Sequence, residues 1–173
     1  MKSQNSFTGW PLVLSILVGL SSVFLIVMRM MVLKTPKSST NRVENEMRES
    51  LTRWGFPKRL HRTIIGHAKH ESGDFTNKLS KMANNIFSMK QPRRRKTTSI
   101  GTIEASEGTF AKFGSVDSAI EDLALWFDDG WNIDVDEIID TDDYIDRLAS
   151  VGFFEQDPEL YRLGVKRNMK GVA

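Results

Sequence analysis

Apolar residues at the start of the chain form one long uncharged run, whereas those in the rest of the chain recur at helix or strand spacing. No residue between Ser3 and Met28 is charged, and a helix needs about 20 apolar residues to cross a bilayer. The run predicts an uncleaved anchor that crosses the membrane through residues 9–33. The predicted divisions are the anchor at 1–33, a polar linker at 34–41, a domain at 42–168 and a tail at 169–173.

Two amphipathic helices are predicted at the start of the domain, separated by the sequence WGFP. Val43, Met47 and Leu51 recur every four positions, which predicts a helix over residues 42–53. The next helix starts near Pro57, whose missing N–H suits a first turn, and ends at Gly73. Its apolar stripe contains one carboxylate; the members are Leu60, Ile64, Ala68 and Glu71. Glu71 is therefore predicted on the buried face of the helix.

The remaining segments predict short helices and one hairpin. A further helical turn is predicted at residues 78–82. Thr, Ile and turn-forming glycines across residues 91–113 indicate a small β-hairpin. Helices are predicted from Ser115, which suits a cap, from Thr141, which is followed by the acidic Asp142 and Asp143, and from Pro158. The predicted fold class is mainly α, an α+β domain with a small hairpin lobe.

Composition and charge narrow the chemistry. The chain has 173 residues, 40% of them hydrophobic and 27% charged, as in a folded domain. It has no cysteine, which excludes disulfides and thiolate chemistry. The net charge of +2 conceals a basic part over residues 42–100 and an acidic part from Gly101 onward. This asymmetry favours an anionic partner for one face, or two lobes that attract each other.

No metal or cofactor is predicted. His61, His67 and His70 cannot share one face of a helix, which disfavours a zinc site. The acidic segment at residues 128–143 lacks the glycine and glutamate spacing of a calcium-binding loop, so it is predicted to be a solvated connection. The basic run PRRRK at residues 92–96 suits an anionic polymer, but no nucleic-acid recognition motif accompanies it. Nucleic acid is therefore not an expected partner, and no oligomeric state is predicted.

Three segments, in order, resemble the bacterial cell-wall endo-β-N-acetylglucosaminidases of the autolysin and flagellar type, within the lysozyme-like superfamily. TIIGHAKHESGDF, at residues 63–75, is similar to the family's helix that ends in the catalytic Glu-Ser-Gly. ANNIFSMK, at residues 83–90, is similar to the family's Asn-Asn-Leu-Phe-Gly-Ile-Lys. FAKFGSVDSAIEDLALWF, at residues 110–127, resembles the family's aromatic-x-x-aromatic-x-Ser stretch. The resemblance implies a lysozyme-like domain that acts on peptidoglycan glycan strands.

The resemblance also implies two catalytic carboxylates. Glu71 corresponds to the general acid, which protonates the leaving oxygen in glycoside cleavage. Glu104 follows the family's Thr-x-Glu pattern for the second carboxylate, with Glu107 as the alternative; the sugar's own acetamido group can also take this part. The structural alternatives are a capping or salt-bridged glutamate at position 71 and solvated hairpin carboxylates at positions 104 and 107.

The resemblance further implies a glycan groove in the second segment. The groove residues by analogy are Asn84, Asn85, Phe87, Met89 and Lys90. Amide side chains suit acetamido groups and an aromatic face suits a sugar ring, although Asn84 as a helix cap and Phe87 as a core residue fit the pattern equally well. Relatives often carry a tyrosine beside the site in the zone occupied here by Phe153 and Phe154.

These observations predict a peptidoglycan hydrolase, anchored in the membrane, with its domain in the periplasm or cell envelope. The alternatives are a lytic transglycosylase and a non-catalytic wall-binding or virion-assembly module with the same fold. Arg29, Lys34 and Lys37 follow the apolar run, and the positive-inside rule then favours a cytoplasmic domain. A phage protein that the virion carries into the envelope need not follow this rule, which gives a second hypothesis for its location.

Overall fold

Residues 39–172 are described by a computed structural model, in which helices pack around a central helix and one hairpin provides the strands. This range contains six α-helices and two strands. The helices are α1 (Ser39–Arg53), α2 (Lys58–Ser72), α3 (Lys78–Ala83), α4 (Val116–Leu125), α5 (Thr141–Ser150) and α6 (Pro158–Asn168). The strands are β1 (Gly101–Ala105) and β2 (Gly108–Lys112). The predicted α+β class with a small hairpin is confirmed.

The central helix is α2, which contacts α1, α5 and α6. Its predicted stripe of Leu60, Ile64 and Ala68 is fully buried, because residues three and four apart share one helix face. Gly73 ends the helix as predicted: its φ of 57° is left-handed, and its N–H bonds a carbonyl of the last turn. Glu71 therefore lies in the final turn of the central helix.

Two glycines allow α2 and α6 to approach closely. A Cβ at Gly66 of α2 would lie 3.1 Å from the carbonyl oxygen of Val165, and one at Gly164 of α6 would lie 2.3 Å from the ring of His70. A larger side chain at either position would therefore force neighbouring atoms of the facing helix to shift. The close packing brings Tyr161 of α6 beside the last turn of α2.

The hairpin covers one side of the core with its second strand. β1 and β2 pair antiparallel from Gly101 opposite Lys112 to Ala105 opposite Gly108. Phe110 on β2 is 5% exposed, whereas most of β1 is exposed to solvent. Side chains on β1 therefore stand at the surface of the domain.

The predicted starts of the later helices are also confirmed. Ser115 and Ser118 form a capping box at the start of α4. The side chains of Asp140 and Asp157 accept backbone N–H groups in the first turns of α5 and α6. Local hydrogen bonds at each start satisfy N–H groups that have no partner inside the helix.

The acidic segment at residues 128–143 is more than a solvated connection. It includes most of a π-helical turn, Trp126–Gly130, and a 3-10 turn, Val135–Glu137. Ile138 is fully buried, and Ile133 packs against the core. The apolar residues between the acidic ones draw the segment onto the domain, because their burial is favourable.

The predicted boundaries differ in part from the described ones. α1 begins at Ser39, inside the predicted linker 34–41, and Val172 in the predicted tail 169–173 is buried against the core. The predicted anchor at 1–33, with its crossing at 9–33, lies outside the described residues. Between residues 39 and 172, no helix has the length and apolar character that a membrane crossing requires.

Candidate active site

Glu71 stands in the last turn of α2, and its side chain is half-buried. The hydroxyl of Tyr161 donates a hydrogen bond to Glu71 Oε1 at 2.5 Å. Tyr161 is 2% exposed and packs its ring on Phe154, with centroids 3.7 Å apart and planes within 9° of parallel. The carboxyl group is therefore held by a donor that cannot move without disturbing the core.

Burial raises the pKa of Glu71 above its ordinary value, because a charged carboxylate loses hydration inside the domain. The hydroxyls of Tyr161 and Ser88 act in the opposite direction, since they stabilise the charged form. A positive charge on neighbouring His70 lowers the pKa further. Burial is the largest of these effects, so Glu71 retains its proton to a higher pH than an exposed glutamate does.

The backbone of the same turn is also restrained. The carbonyl oxygen of Glu71 accepts hydrogen bonds from Asn77 Nδ2 at 3.0 Å and from Ser88 Oγ at 3.2 Å. Carbonyls in the last turn of a helix lack partners within the helix, so these two side chains satisfy one of them. The positions of both the backbone and the carboxyl group of Glu71 are thus set by neighbouring segments.

A buried aromatic cluster lies beneath the acid. His67, one turn before Glu71, is fully buried, and its Nδ1 lies 2.9 Å from the hydroxyl of Tyr144. Burial, together with the charge of His70, lowers the pKa of His67 to about 3. Burial also raises the pKa of Tyr144. Both groups are neutral at physiological pH, so the buried cluster beneath Glu71 contributes no charge from these two residues.

Two of the predicted glycan contacts are structural residues. Asn85 is fully buried; its Nδ2 donates to the carbonyls of Met89 and Ala111 at 2.8 Å each, and its Oδ1 accepts the N–H of Met89 at 2.9 Å. Phe87 is fully buried in the core. Asn85 and Phe87 are therefore corrected from groove residues to buried structural residues, because neither has a surface left for a ligand. Asn85 joins β2 to the loop after α3, and Phe87 packs in the hydrophobic core.

Asn84 has a capping role that the sequence pattern also allowed. Its backbone is left-handed at the end of α3, with φ of 49°, and its Nδ2 donates to the carbonyl of Phe113 at 3.1 Å. Asparagine tolerates this conformation better than most residues. The side chain, although half-buried, is used within the protein.

Met89 and Lys90 line a cavity of about 300 Å³ beside the acid. Ser88 lines the same cavity and bonds the carbonyl of Glu71, so the cavity adjoins the turn that carries the acid. The cavity is lined by Ser88, Met89, Lys90, Gln91, Pro92, Arg95, Trp126, Trp131, Val151, Gly152, Phe153 and Glu155. Another cavity, of about 770 Å³, lies between Trp54, α4 and the acidic segment, and no predicted site residue lines it.

The two hairpin carboxylates are exposed, which agrees with the alternative interpretation of them as solvated hairpin residues. Glu104 on β1 accepts a hydrogen bond from the Thr109 hydroxyl at 3.0 Å, and Lys78 Nζ donates to its carbonyl oxygen at 3.3 Å. Ser106 donates to Glu107 in the turn of the hairpin, which lowers the pKa of Glu107. Glu104 lies near the start of α3, where Asn77 also contacts Glu71.

Comparisons with solved structures show that this chain has a known fold. A chain in a type VI secretion system effector–immunity complex from Pseudomonas protegens is 20% identical with a TM-score of 0.53, over 76% of this chain and 91% of that one. The catalytic domain of the autolysin Auto from Listeria monocytogenes is 14% identical with a TM-score of 0.52, over 86% of this chain and 94% of that domain.

A peptidoglycan hydrolase from Sphingomonas sp. A1 is 12% identical with a TM-score of 0.54, over 78% of this chain and 96% of that one. The chain shares the fold of these proteins. No protein-family model matches this sequence, and no curated protein matches it. At these identities the likeness concerns the fold alone.

The tertiary structure adds a site residue that the sequence pattern did not indicate. The zone where the family that the sequence resembles often has a tyrosine contains Phe153 and Phe154, whereas the hydroxyl that reaches Glu71 is that of Tyr161. In the sequence Tyr161 is one member of a helical stripe with Val165, and both are buried. Its spacing is that of a core residue, so only the packing of α6 on α2 shows its second role.

Replacement of Tyr161 by Phe tests its role as a positioning residue. We expect kcat to fall about tenfold, because the carboxyl group loses the donor that orients it. The alkaline limb of the pH profile should move to higher pH, since removal of this donor raises the pKa of Glu71 further. Hydrolysis rates measured across the pH range report both effects. A lower rate with an unmoved alkaline limb would contradict a direct effect on Glu71.

Proposed function

We propose that the protein hydrolyses peptidoglycan at N-acetylglucosaminyl-β-1,4 bonds, with Glu71 as the general acid. The observation that carries this proposal is a half-buried carboxyl with a raised pKa, held by Tyr161 beside an open cavity. The fold adds support, since two proteins that share it are described as an autolysin and a peptidoglycan hydrolase.

The chemistry requires an acid that is protonated near neutral pH. Glu71 would donate its proton to the glycosidic oxygen as the C1–O bond breaks and positive charge develops on the sugar ring. Burial of the carboxyl group over the uncharged side chains of His67 and Tyr144 favours the protonated form, because the charged form would lose hydration. The Tyr161 hydroxyl then stabilises the carboxylate that the proton transfer leaves behind.

The second part of the reaction needs a group that activates water or traps the sugar. Glu104 is our candidate, since it is exposed on β1 and its strand is joined to the start of α3 by Lys78. It would accept a proton from the water that attacks C1, while the acetamido group of the substrate offers an alternative route. Glu107, in the hairpin turn, is the alternative carboxylate.

We propose that this activity takes place in the cell envelope, where peptidoglycan is found, with residues 9–33 as a membrane anchor. The glycan strand is the proposed partner of the domain, which carries the basic run. Anionic stem peptides on that strand suit the basic run at residues 92–96.

Two other functions remain to be separated from this one. A lytic transglycosylase would use the same acid and leave an anhydro sugar end. A wall-binding module would keep the cavity but would not cleave the glycan. The absence of a tyrosine at residues 153 and 154 by itself favours such a module. This support is lost because Tyr161 supplies a hydroxyl to Glu71.

Mass spectrometry of the released fragments decides among these functions. Purified peptidoglycan is incubated with the full chain and, in parallel, with its Glu71→Gln variant. We expect reducing N-acetylglucosamine ends with the wild type and none with the variant. Anhydro ends would identify a transglycosylase, reducing N-acetylmuramic acid ends a different bond, and intact glycan in both samples a binding module.

A further inference from the structure

A row of aromatic rings borders the cavity next to Glu71. Trp126 lies 4.9 Å from Phe153 and 6.1 Å from Trp131, measured between ring centroids. All three residues line the cavity. Trp126 and Phe153 are partly buried and pack against the core, whereas Trp131 is 49% exposed. The row therefore runs from the core outward and ends in an indole that is half in solvent.

The local backbone explains the position of the exposed ring. The π-helical turn Trp126–Gly130 follows α4, and the N–H of Trp131 bonds the carbonyl of Asp128. The extra residue of a π-type turn changes the direction of side chains relative to a regular helix. Within residues 39–172 neither indole N–H has a hydrogen-bond partner in the protein, so both remain available as donors.

Two cations line the same cavity, and they differ in their partners. Arg95 donates to Asp122 at 2.6 Å, and Asp122 is fully buried, so this charge is neutralised within the protein. Lys90 is exposed and has no salt bridge among the described residues. The one carboxylate on the cavity lining is the exposed Glu155. Lys90 is thus the cation that is free to bind a ligand.

The Arg95 contact also fixes the basic run in place. Asp122 accepts the Thr97 hydroxyl at 2.5 Å and the N–H of Thr98 at 2.9 Å, in addition to Arg95. These bonds attach the loop after Pro92 to α4, the helix that leads into the aromatic row. The basic loop that carries Arg95 and the turn that ends at Trp131 therefore both belong to the lining of this cavity, which Lys90 lines as well.

We propose that this cavity binds one sugar ring of the glycan together with a carboxylate attached to that sugar. The Trp131 indole covers the apolar face of the ring, and the Lys90 ammonium pairs with the carboxylate. This inference rests on the proposed function and specifies its substrate: glycan whose sugars carry acidic substituents. In peptidoglycan the carboxylate comes either from the lactyl ether of muramic acid or from the peptide stem attached to it.

The geometry predicts that the cavity binds acidic glycans more tightly than neutral ones. Chitohexaose offers sugar rings for Trp131 but no carboxylate for Lys90. Stem-free glycan strands offer the lactyl carboxylate, and stem-bearing fragments offer the stem carboxylates. Both acidic ligands should therefore bind more tightly than chitohexaose at low salt, and the difference should shrink as salt screens the charges.

Calorimetric titration of the full-length Glu71→Gln protein with these three ligands tests the inference without cleavage. We expect Lys90→Gln in this background to lower affinity for the acidic ligands about fivefold and to leave chitohexaose unchanged. Trp131→Ala should lower the affinity for all three about tenfold, and Trp131→Phe should restore most of it. Lys112→Gln, an exposed lysine on β2 that does not line the cavity, is the matched control.

The outcomes separate this inference from the proposed hydrolase activity. Tight binding of stem-free strands assigns the carboxylate to the lactyl group, and tight binding of stem-bearing fragments alone assigns it to the stem. Equal affinity for acidic and neutral ligands, no binding of any ligand, or no effect of Lys90→Gln would overturn the inference, even if the wild type cleaves glycan. The expected binding pattern without cleavage by the wild type would retain it and reject the hydrolase.

Discussion

Replacement of Glu71 by Gln is expected to lower the rate of glycan cleavage roughly a thousandfold, the size of a lost general acid. Glutamine has nearly the shape of glutamate and can still accept the Tyr161 hydrogen bond, but it has no proton to give to the leaving oxygen. The initial rate of release of reducing ends from purified peptidoglycan measures the effect. A rate within about threefold of the wild type would remove Glu71 from the mechanism.

The Tm of the Glu71→Gln variant shows whether activity falls because the general acid is missing or because the protein is less stable. The pKa of Glu71 is raised by burial, so the folded protein binds this proton more tightly than the unfolded chain does. The stabilisation that the protonated carboxyl gives the folded state is therefore lost as the pH rises from the ordinary pKa of glutamate through the higher pKa of Glu71 in the folded protein. At neutral pH we expect Glu71→Gln to have a Tm equal to or above that of the wild type.

Glu49→Gln provides a matched control for the acid. Glu49 is exposed on α1, so its substitution removes one negative charge without a buried contact. It should leave both the cleavage rate and the Tm close to those of the wild type. An equal loss of activity in both variants would indicate a general charge effect.

Replacement of Asp122 by Ala is expected to lower the free energy of unfolding by about 3–5 kcal/mol, because it leaves the Arg95 charge without its partner in a mostly buried position. Thr97 and the N–H of Thr98 lose their acceptor in the same substitution. Urea unfolding followed by circular dichroism measures the loss. A change below about 1 kcal/mol would show that the pair contributes no more than a surface ion pair.

Two further variants test the cause of that loss. Asp122→Ala combined with Arg95→Met should be more stable than Asp122→Ala alone, because the unpaired cation is removed as well. Glu137→Ala is the exposed counterpart: Glu137 is 68% exposed and lies 3.7 Å from Arg147. We expect its effect to be within about 0.5 kcal/mol.

Most helices could be predicted because their signals are local. The stripe of Leu60, Ile64 and Ala68 has the helix period, and a glycine in the left-handed conformation ends α2 where the sequence places Gly73. Ser115 caps α4 through a hydrogen bond to a residue three positions away. Contacts of this range depend on the order of neighbouring residues, which the sequence states directly.

How much of the candidate site can be predicted from the sequence depends on how far apart in the chain its residues lie. Glu71 stands out within its own helix, because a carboxylate on an apolar stripe is unusual. Tyr161 is 90 positions away from Glu71, and its spacing with Val165 is that of an ordinary core residue. Its contact with Glu71 depends on how closely α6 packs on α2, which no local pattern describes.

Burial decided the cases in which one motif fitted two roles. Asn85 and Phe87 belong to a segment that resembles a glycan-binding motif, but both are fully buried and Asn85 uses its amide for the backbone. Lys90, three positions after Phe87, remains exposed at the cavity. The residue types alone do not distinguish these positions, because amide and aromatic groups suit both a core and a ligand.

By itself, the sequence determined most of the helices, that the domain has a hairpin lobe, and which carboxylate is the candidate acid. Only the tertiary structure decided that Tyr161 holds this acid, that Asn85 supports β2, and that Lys90 and Trp131 share one cavity. The physical reason is the range of the interactions: capping and periodicity act within a few residues, whereas burial, pKa shifts and cavities arise from segments brought together by packing.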